Sequence, residues 1–395
     1  MTSDSPLIIY QGKAYPIDEV PANLATLLLE TLTLRQSQQS KPSIDQIHSV
    51  KDFEAIAQNA LKPDVWSYYR TGADDEITLR ENIAAFQRIY FRPRILQNVS
   101  EVDQSTTMLG TKTSAPFYIT AFAQSNWGHP LAEKNLTWAA GETNLIQMIP
   151  SMSGFPFDEI VDEATTNQEL WLQIYVDAKR EATEKLISRA QARGIKAIFF
   201  TVDTAQLGNR ESQSRTDGVP FSVLLPQDPS LDWEDIKYYK SRCPDIKIIL
   251  KGVQCVEDAV KAVNYGADGI LISNHGGRQL DTSRSSIEVL AEIMPELKHQ
   301  NVSKEFEVFI DGGVRRGTDI VKALCLGANG VGLGRPFLYA MSAYGKEGVI
   351  KAINVLKNEI DCCLRLLGVR SIEELHPGLI DVGEVNRNRT TIMDN

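Results

Sequence analysis

Six apolar segments of the chain each end in side chains that can bind ligands or move protons. The polar ends are Gln173-Ile-Tyr175, Thr201-Val-Asp203, Lys251-Gly252, Ser273-Asn-His275, Asp311-Gly-Gly313 and Gly332-Leu-Gly334-Arg335. A histidine such as His275 can act as a general base near neutral pH, and a carboxylate such as Asp203 can orient its ring. One such segment would mean little, but six in succession indicate the ring of an active site.

Two segments carry the features of a phosphate site. They are Asp311-Gly-Gly-Val-Arg315-Arg-Gly and Gly332-Leu-Gly334-Arg335-Pro. Glycine allows close approach of the backbone to a ligand, and arginine neutralises an anion. Turn glycines beside surface arginines would explain either segment alone, whereas the two together favour a phosphorylated ligand.

The elements that must position these groups are eight apolar runs. They lie at 115–123, 145–152, 170–176, 197–203, 246–253, 269–275, 307–313 and 330–336. Segments with helical periodicity separate or follow them, at 179–192, 255–264, 285–298, 316–325 and 346–367. Eight alternating strands and helices predict an α/β TIM (β/α)8 barrel. Such barrels keep their active sites at the C-terminal strand ends and bind phosphate after strands seven and eight, where the polar groups fall.

The regions outside the barrel differ in composition. Residues 1–45 are predicted to form an N-terminal extension and linker, with a short hairpin at 8–17 and a helix at 22–34. The barrel domain is predicted to span 46–385, followed by a tail at 386–395.

The segment 204–245, between strands four and five, is too long for an ordinary connection. Long connections in compact domains are usually lids or disordered segments. Its start, Gln206-Leu-Gly-Asn-Arg210-Glu, is specific in sequence rather than of low complexity. A lid over the active site is therefore predicted.

The composition excludes several classes of protein. The 395 residues carry a net charge of −10, which gives no basic field for nucleic acid or an anionic membrane. No apolar run approaches the ~20 residues that span a bilayer, and the N-terminus lacks the pattern of a secretory signal. The five cysteines show no metal-ligand spacing, so reduced thiols and no metal are expected. These features predict a soluble, intracellular and cytoplasmic protein.

The segment Ser273-Asn-His275-Gly-Gly-Arg278-Gln-Leu-Asp281 resembles the signature of the FMN-dependent 2-hydroxy-acid dehydrogenase and oxidase family. The resemblance covers nearly all of residues 45–385, includes Tyr68-Tyr69-Arg-Thr-Gly-Ala, and is strongest to the flavocytochrome b2 branch. It implies an FMN cofactor and the oxidation of an L-2-hydroxy acid to a 2-oxo acid. It also implies a homo-oligomer, with a tetramer familiar in the family.

The resemblance assigns catalytic roles to five residues: His275, Asp203, Tyr175, Lys251 and Arg278, which would also bind the substrate. His275 would take a proton from the substrate, while Asp203 would hold its ring and stabilise the imidazolium. Tyr175 would hydrogen-bond the substrate hydroxyl, and Lys251 would stabilise negative charge on the reduced flavin. Whether the electrons leave as a hydride or from a carbanion stays open.

Further roles concern binding. Arg278 would hold the substrate carboxylate through a bidentate pair, with the Tyr68 hydroxyl as a second donor and Arg210 as a second cation. Ala123 and Met152 match positions that govern selectivity for the substrate side chain. The positions that match cofactor contacts are Ala121, Gln173, Thr201, Lys251, Ser273, Asp311, Gly313, Arg315, Gly334 and Arg335.

The chain departs from the family pattern beside the expected flavin. Phe122 stands where the family has a threonine, and Pro150 stands where it has a serine. These changes are expected to weaken FMN binding, shift the reduction potential of the flavin or change its orientation. The stretch from Gln124 to Trp127 is also atypical and could reshape the substrate pocket.

The electron acceptor stays open from the sequence. The first 45 residues contain no histidine, so they cannot hold the haem that precedes the barrel of flavocytochrome b2. Oxygen, a quinone and a separate carrier protein all remain as acceptors. Two other functions are also weighed: oxidation of a larger metabolite on the same barrel, and a non-catalytic barrel that has lost flavin.

Overall fold

The computed structural model describes residues 7–10, 13–16, 41–217 and 228–383. The chain divides into two compact units, Met1–Gln46 and Ile47–Asn395. In the first unit, β1 (Leu7–Tyr10) pairs antiparallel with β2 (Lys13–Pro16), which is the predicted hairpin. The predicted helix at 22–34 lies outside the described residues.

The second unit is built around a closed barrel of eight parallel strands. The strands of this unit are β3 (Tyr90–Phe91), β4 (Thr106–Met108), β5 (Thr111–Thr113), β6 (Phe117–Ile119), β7 (Gln147–Pro150), β8 (Leu170–Ile174), β9 (Ala197–Thr201), β10 (Lys247–Val253), β11 (Gly269–Ile272), β12 (Glu307–Asp311), β13 (Gly330–Leu333) and β14 (Ile380–Asp381). Strands β6 to β13 follow one another in chain order, and β13 pairs with β6 to close the barrel. The predicted barrel is confirmed. Parallel strands that are buried on both faces produce the continuous apolar runs of the sequence.

Helices surround the barrel. They are α1 (Asp52–Ala60), α2 (Pro63–Arg70), α3 (Ile77–Gln87), α4 (Ser125–Gly128), α5 (Ala132–Thr143), α6 (Phe157–Asp162), α7 (Arg180–Ala192), α8 (Glu211–Asp217), α9 (Trp233–Arg242), α10 (Val256–Asn264), α11 (Ser286–His299), α12 (Gly317–Leu326) and α13 (Arg335–Leu367). The helix predicted at 346–367 is the second part of α13, which follows a kink at Tyr344 and Gly345. Gly345 permits this kink because its φ of 58° and ψ of −139° are strained for other residues.

The described part of the long segment between β9 and β10 contains two helices, α8 and α9. Its last part is α9, the barrel helix that follows β9, so the connection from strand to helix is shorter than the 204–245 segment suggests. Asp232 caps α9 by accepting hydrogen bonds from Glu234 N and Asp235 N at 2.9 and 3.3 Å. Residues 218–227 of the predicted lid lie outside the described residues.

The interior of the barrel is a packed core rather than a pore. Tyr118, Trp171, Phe199 and Phe309 form an aromatic layer in which the rings of Tyr118 and Trp171 are 5.0 Å apart. Met108, from the β4–β5 hairpin, belongs to the same buried cluster. The next residue of that hairpin donates its N–H to the carboxylate at the start of β12. The hairpin therefore closes the N-terminal end of the barrel and leaves the C-terminal end for a site.

Candidate active site

A cavity lies at the C-terminal ends of the barrel strands. Most of the residues predicted for the site line it: Tyr68, Ala121, Ala123, Met152, Gln173, Tyr175, Arg210, Lys251, His275, Arg278, Asp311, Gly313, Arg315, Gly334 and Arg335. The predicted substrate and cofactor positions therefore line one continuous cavity.

Three predicted site residues do not line the cavity but support residues that do. Asp203 contacts the ring of His275, and Ser273 Oγ accepts a hydrogen bond from the His275 N–H at 3.0 Å. Thr201 Oγ1 accepts one from Gln173 Nε2 at 2.8 Å. These contacts fix the orientation of side chains in the cavity wall.

His275 and Asp203 form a hydrogen-bonded pair. His275 Nδ1 lies 3.1 and 3.2 Å from the two carboxylate oxygens of Asp203. This contact favours the proton on Nδ1, so Nε2 is left as an acceptor, 3.4 Å from the Tyr175 hydroxyl. Gly252 makes room for the pair because a Cβ there would lie 2.6 Å from Asp203 Cβ.

The backbone of the His275 segment is unusual. His275, Gly276 and Gly277 have φ values of 58°, 66° and 77°, so three successive residues are left-handed. Glycine adopts this conformation without cost, but histidine does not. Strained backbone of this kind is typical of functional sites, where the surrounding structure holds it in place.

The surroundings of the pair favour a neutral base beside an ionised acid. Burial lowers the pKa of His275, the charge of Lys251 lowers it further, and Asp203 opposes both. Burial alone would raise the pKa of Asp203, but His275 and Lys251 outweigh it, and the pKa is lowered. His275 is therefore neutral near pH 7 and next to a carboxylate that stabilises its protonated form.

Two arginines, the buried Arg210 and the partly buried Arg278, line the cavity. Arg278 Nη1 donates to the carbonyls of Tyr68 and Thr71 at 2.6 and 2.9 Å, and its guanidinium lies 4.9 Å from the Tyr68 ring. Burial and then the charge of Arg210 lower the pKa of Arg278 to about 10. Within the described residues Arg278 forms no ion pair with a carboxylate. Buried like charges of this kind create a site for an anion.

The other end of the cavity fits the phosphate and ribityl chain of FMN. Arg335 is held by three carbonyls, including that of Gly276 at 2.9 Å, and burial first of all lowers its pKa to about 10. Asp311 Oδ1 is buried without a hydrogen-bond partner among the described residues, and such an acceptor requires a donor. Ribityl hydroxyls would supply the donor, while Arg315 and Arg335 would neutralise the phosphate.

Helix α3 contributes residues that the sequence analysis missed. Leu79, Asn82 and Ile83 line the cavity. The amides of Asn82 and Asn274 exchange two hydrogen bonds of 2.8 Å across 192 positions of sequence. Asp281 of the signature segment also contacts α3, since it accepts from Thr78 N at 2.8 Å. No signal in the sequence indicated the contact between Asn82 and Asn274.

The wall formed after β6 and β7 is apolar. Phe122 and Pro150, the two departures from the family pattern, both line the cavity beside Ala121, Ala123 and Met152. Pro150 has no backbone N–H to donate. The N–H of the next residue, Ser151, is directed to Gln173 Oε1 at 3.4 Å.

Two classes of feature are absent from the part of the chain that the structure describes. No group of three or more histidine, cysteine, aspartate or glutamate side chains is arranged to hold a metal ion there. Nor does any of the described helices combine the length and the apolar character needed to cross a membrane.

Comparison with known proteins places the chain in a family. The model of the FMN-dependent dehydrogenase family matches residues 57–225 and 222–382. An L-lactate dehydrogenase (cytochrome) of Wickerhamomyces anomalus is 47% identical over 370 residues, which are 89% of this chain and 64% of that protein. The chain thus spans less than two thirds of that relative. A peroxisomal (S)-2-hydroxyacid oxidase of Arabidopsis thaliana is 40% identical over 84% of this chain and 96% of its own length.

A solved structure is similar over the same region. The recombinant flavin-binding domain of baker's yeast flavocytochrome b2 superposes with a TM-score of 0.87 and 45% identity, over 92% of this chain and 94% of that domain. The barrel, the cavity and the family match together give one conclusion. The chain belongs to the family of FMN-dependent dehydrogenases, and its cofactor is FMN.

Proposed function

We propose that the chain oxidises an L-2-hydroxy acid to the 2-oxo acid, with FMN as the electron acceptor and His275 as the base. The observation that carries the proposal is the His275–Asp203 pair, whose Nε2 acceptor faces a cavity that Arg210 and Arg278 also line. A base beside an anion site suits a substrate that carries a carboxylate next to the carbon to be oxidised. The names of the two relatives describe the same class of substrate.

Arg278 and Arg210 bind the substrate carboxylate in this proposal, with Tyr68 beside them. Arg278 offers a planar fork that matches a carboxylate. With the carboxylate bound there, the hydroxyl of the substrate lies near Tyr175 and His275, whose polar atoms are 3.4 Å apart. Burial and then the charge of Asp203 raise the pKa of Tyr175, so its phenol stays protonated and can donate.

The oxidation removes two electrons and two protons from the substrate. His275 Nε2 takes one proton, and Asp203 stabilises the imidazolium that forms. FMN, when bound, would supply the acceptor for the two electrons and for the other proton. Gln173, Thr201, Ser273, Ala121 and Lys251 would hold or support the flavin ring, with Lys251 offsetting negative charge on it, and Gly313 and Gly334 would let the backbone approach the ribityl phosphate.

Anaerobic titration of the FMN-loaded protein tests this function. L-lactate, glycolate, L-mandelate and longer L-2-hydroxy acids are added in turn, with D-lactate as the control. Bleaching of the flavin band by at least one L-acid, with formation of its 2-oxo acid, supports the proposal. If every acid leaves the band unchanged while dithionite bleaches it, the proposal is contradicted.

A second candidate is oxidation of a larger metabolite on the same barrel. The apolar wall with Phe122 and Pro150 favours it. The two candidates differ in their products, because a 2-hydroxy-acid enzyme forms only 2-oxo acids. Reoxidation of the bleached protein with oxygen, a quinone or a cytochrome then identifies the electron acceptor.

A further inference from the structure

We propose that Gln279 is a positioning residue that links the His275–Asp203 pair to Arg210. The inference rests on the proposed function, because it assigns to Gln279 the alignment of the base with the anion site. Gln279 itself does not line the cavity, so it would act only through its neighbours.

The polar atoms of the Gln279 side chain all form hydrogen bonds to one segment of the chain. It is 5% exposed, and its Nε2 donates to the carbonyls of Asp203 and Gln206 at 2.8 and 2.9 Å. Its Oε1 accepts a hydrogen bond from Gly208 N at 3.1 Å. One amide thus hydrogen-bonds three backbone groups of the segment between Asp203, which orients the base, and Arg210, which supplies the second cation.

The segment from Asp203 to Arg210 is fitted closely against the signature segment. A Cβ at Gly208 would lie 2.4 Å from the carbonyl oxygen of Arg278 and 2.5 Å from that of Gln279, so the two backbones are in direct contact. On its other side, Asn209 accepts from Asp74 N at 2.8 Å and donates to Asp74 Oδ1 at 2.8 Å. The segment from Asp203 to Arg210 is therefore held from both sides, and the amide of Gln279 supplies the side-chain hydrogen bonds on one of them.

The hydrogen-bond pattern requires an amide. Two donors face two carbonyls, and one acceptor faces an N–H. A glutamate would place an oxygen against the two carbonyls, which repel it while it is ionised. When that glutamate is protonated it regains one donor, and burial favours its protonated form. A methionine fills the volume but supplies neither donor nor acceptor.

The consequence of losing Gln279 would appear in two properties at once. Arg210 would no longer be held beside Arg278, which weakens anion binding. Asp203 would also lose a backbone contact, which disturbs the orientation of His275. Misplacement of reacting groups by about 1 Å can cost about 100-fold in rate.

The test compares Gln279→Glu and Gln279→Met with Gln58→Glu, a charge-matched control at an exposed position of α1. Oxalate, a dianion, is titrated into each FMN-loaded protein and followed by the flavin spectrum between about pH 5.5 and 8.5. We expect Gln279→Glu to bind oxalate at least ~10-fold more weakly than the wild type at the upper pH. The ratio of the two Kd values should decrease at the lower pH, because the protonated glutamate supplies one of the two donors. Gln279→Met should be weak at every pH, and Gln58→Glu should match the wild type.

A double-mutant cycle checks that the effect passes through Arg210. Gln279→Met should add little to the loss of oxalate affinity in an Arg210→Met background, because coupled residues are non-additive. Additive losses would contradict the link to Arg210. The pH dependence of kcat/KM for Gln279→Met should also change relative to the wild type, which a role in stability alone would not cause.

The proposal is overturned if both Gln279 variants bind oxalate as the wild type does at all pH values. Oxalate binding does not require turnover, so this failure is distinct from a failure of the proposed function, which appears as a flavin that no 2-hydroxy acid bleaches. If the variants do not fold, hydrogen exchange of the wild type decides the question. A slowly exchanging Gly208 amide supports the proposal, and exchange at the rate of an open loop contradicts it.

Discussion

At the scale of single residues, the proposed reaction depends on the charge state of a few groups in the cavity. His275 is neutral because burial and Lys251 disfavour its cationic form, and Arg278 stays charged in a cavity that lacks a carboxylate partner among the described residues. Protonation of the base at lower pH, or loss of the bond between the cation and the substrate carboxylate, should therefore lower activity.

The acidic limb of the pH profile is the first prediction. Only neutral His275 can accept a proton, so kcat/KM falls as pH decreases through its pKa. Because burial and Lys251 lower that pKa, the fall should begin below the ordinary histidine value of about 6.5. Steady-state kinetics over a range of pH measures it, with thermal melting at each pH to exclude unfolding. A limb centred above the ordinary value would contradict the assigned state of His275.

Arg278→Lys is the second prediction. Lysine keeps the charge but cannot form the bidentate pair, so KM should rise and kcat should fall together, by about 10-fold or more each. Arg215→Lys, at an exposed i,i+4 ion pair of α8, is the matched control and should change neither. Unchanged kinetics in Arg278→Lys would remove its role as the carboxylate clamp.

At the scale of elements, the left-handed turn after β11 connects the base to α3. A Cβ at Gly277 would lie 2.6 Å from the backbone of Leu79, so the turn can pack on α3 only with glycine. The carbonyl of Gly277 also accepts from Ala73 N at 2.9 Å. The turn thus positions His275 and Arg278 relative to the α2–α3 region that carries Tyr68.

Gly277→Ala tests this packing, with Gly194→Ala as its control. Both glycines have φ near 80°, but a Cβ at Gly194 meets no atom within 4 Å. Each substitution should cost about 1 kcal/mol of stability for the left-handed backbone. Only Gly277→Ala should lose further stability and also lower kcat/KM, as measured by thermal melting and steady-state kinetics. Equal effects of the two variants would show that the turn does not position the site.

The elements also show what the sequence could predict. The eight strands were predictable because they are buried on both faces and therefore read as continuous apolar runs. Helix α9 was not recognised, because only Ile236 and Tyr239 of its ten residues are buried. The contribution of Asn82 could not be predicted, since its partner Asn274 lies 192 positions away. Spacing reveals side chains at strand ends, but not contacts that depend on how a distant helix packs.

At the scale of the whole molecule, a protein with a net charge of −10 concentrates arginines in the cavity at one end of its barrel. We propose that residues 46–385 form the catalytic domain, since all lining residues of the cavity fall within this range. The N-terminal extension, the C-terminal tail, a symmetric oligomer and the cellular location stay predictions. The arginines of the cavity repel one another, so an anionic cofactor that binds among them should stabilise the fold.

Removal of FMN is therefore expected to lower the Tm. A ligand present at 100 times its Kd stabilises the folded state by about 2.7 kcal/mol. Riboflavin, which lacks the phosphate, should restore less of the Tm than FMN, because Arg315 and Arg335 then stay uncompensated. Thermal melting of the apoprotein with each compound measures this. Equal Tm values with riboflavin and with FMN would contradict the phosphate site.

The most direct test of His275 as the base is a single turnover in the absence of oxygen. Wild-type protein and His275→Gln are each mixed with L-lactate, or with a better L-2-hydroxy acid from the titration series. The wild-type flavin should be reduced, and an equimolar amount of 2-oxo acid should form. His275→Gln should bind FMN equally well but be reduced at least ~100-fold more slowly. Reduction of both proteins at the same rate would contradict His275 as the base. A wild-type flavin that is reduced without any 2-oxo acid would contradict the proposed reaction itself.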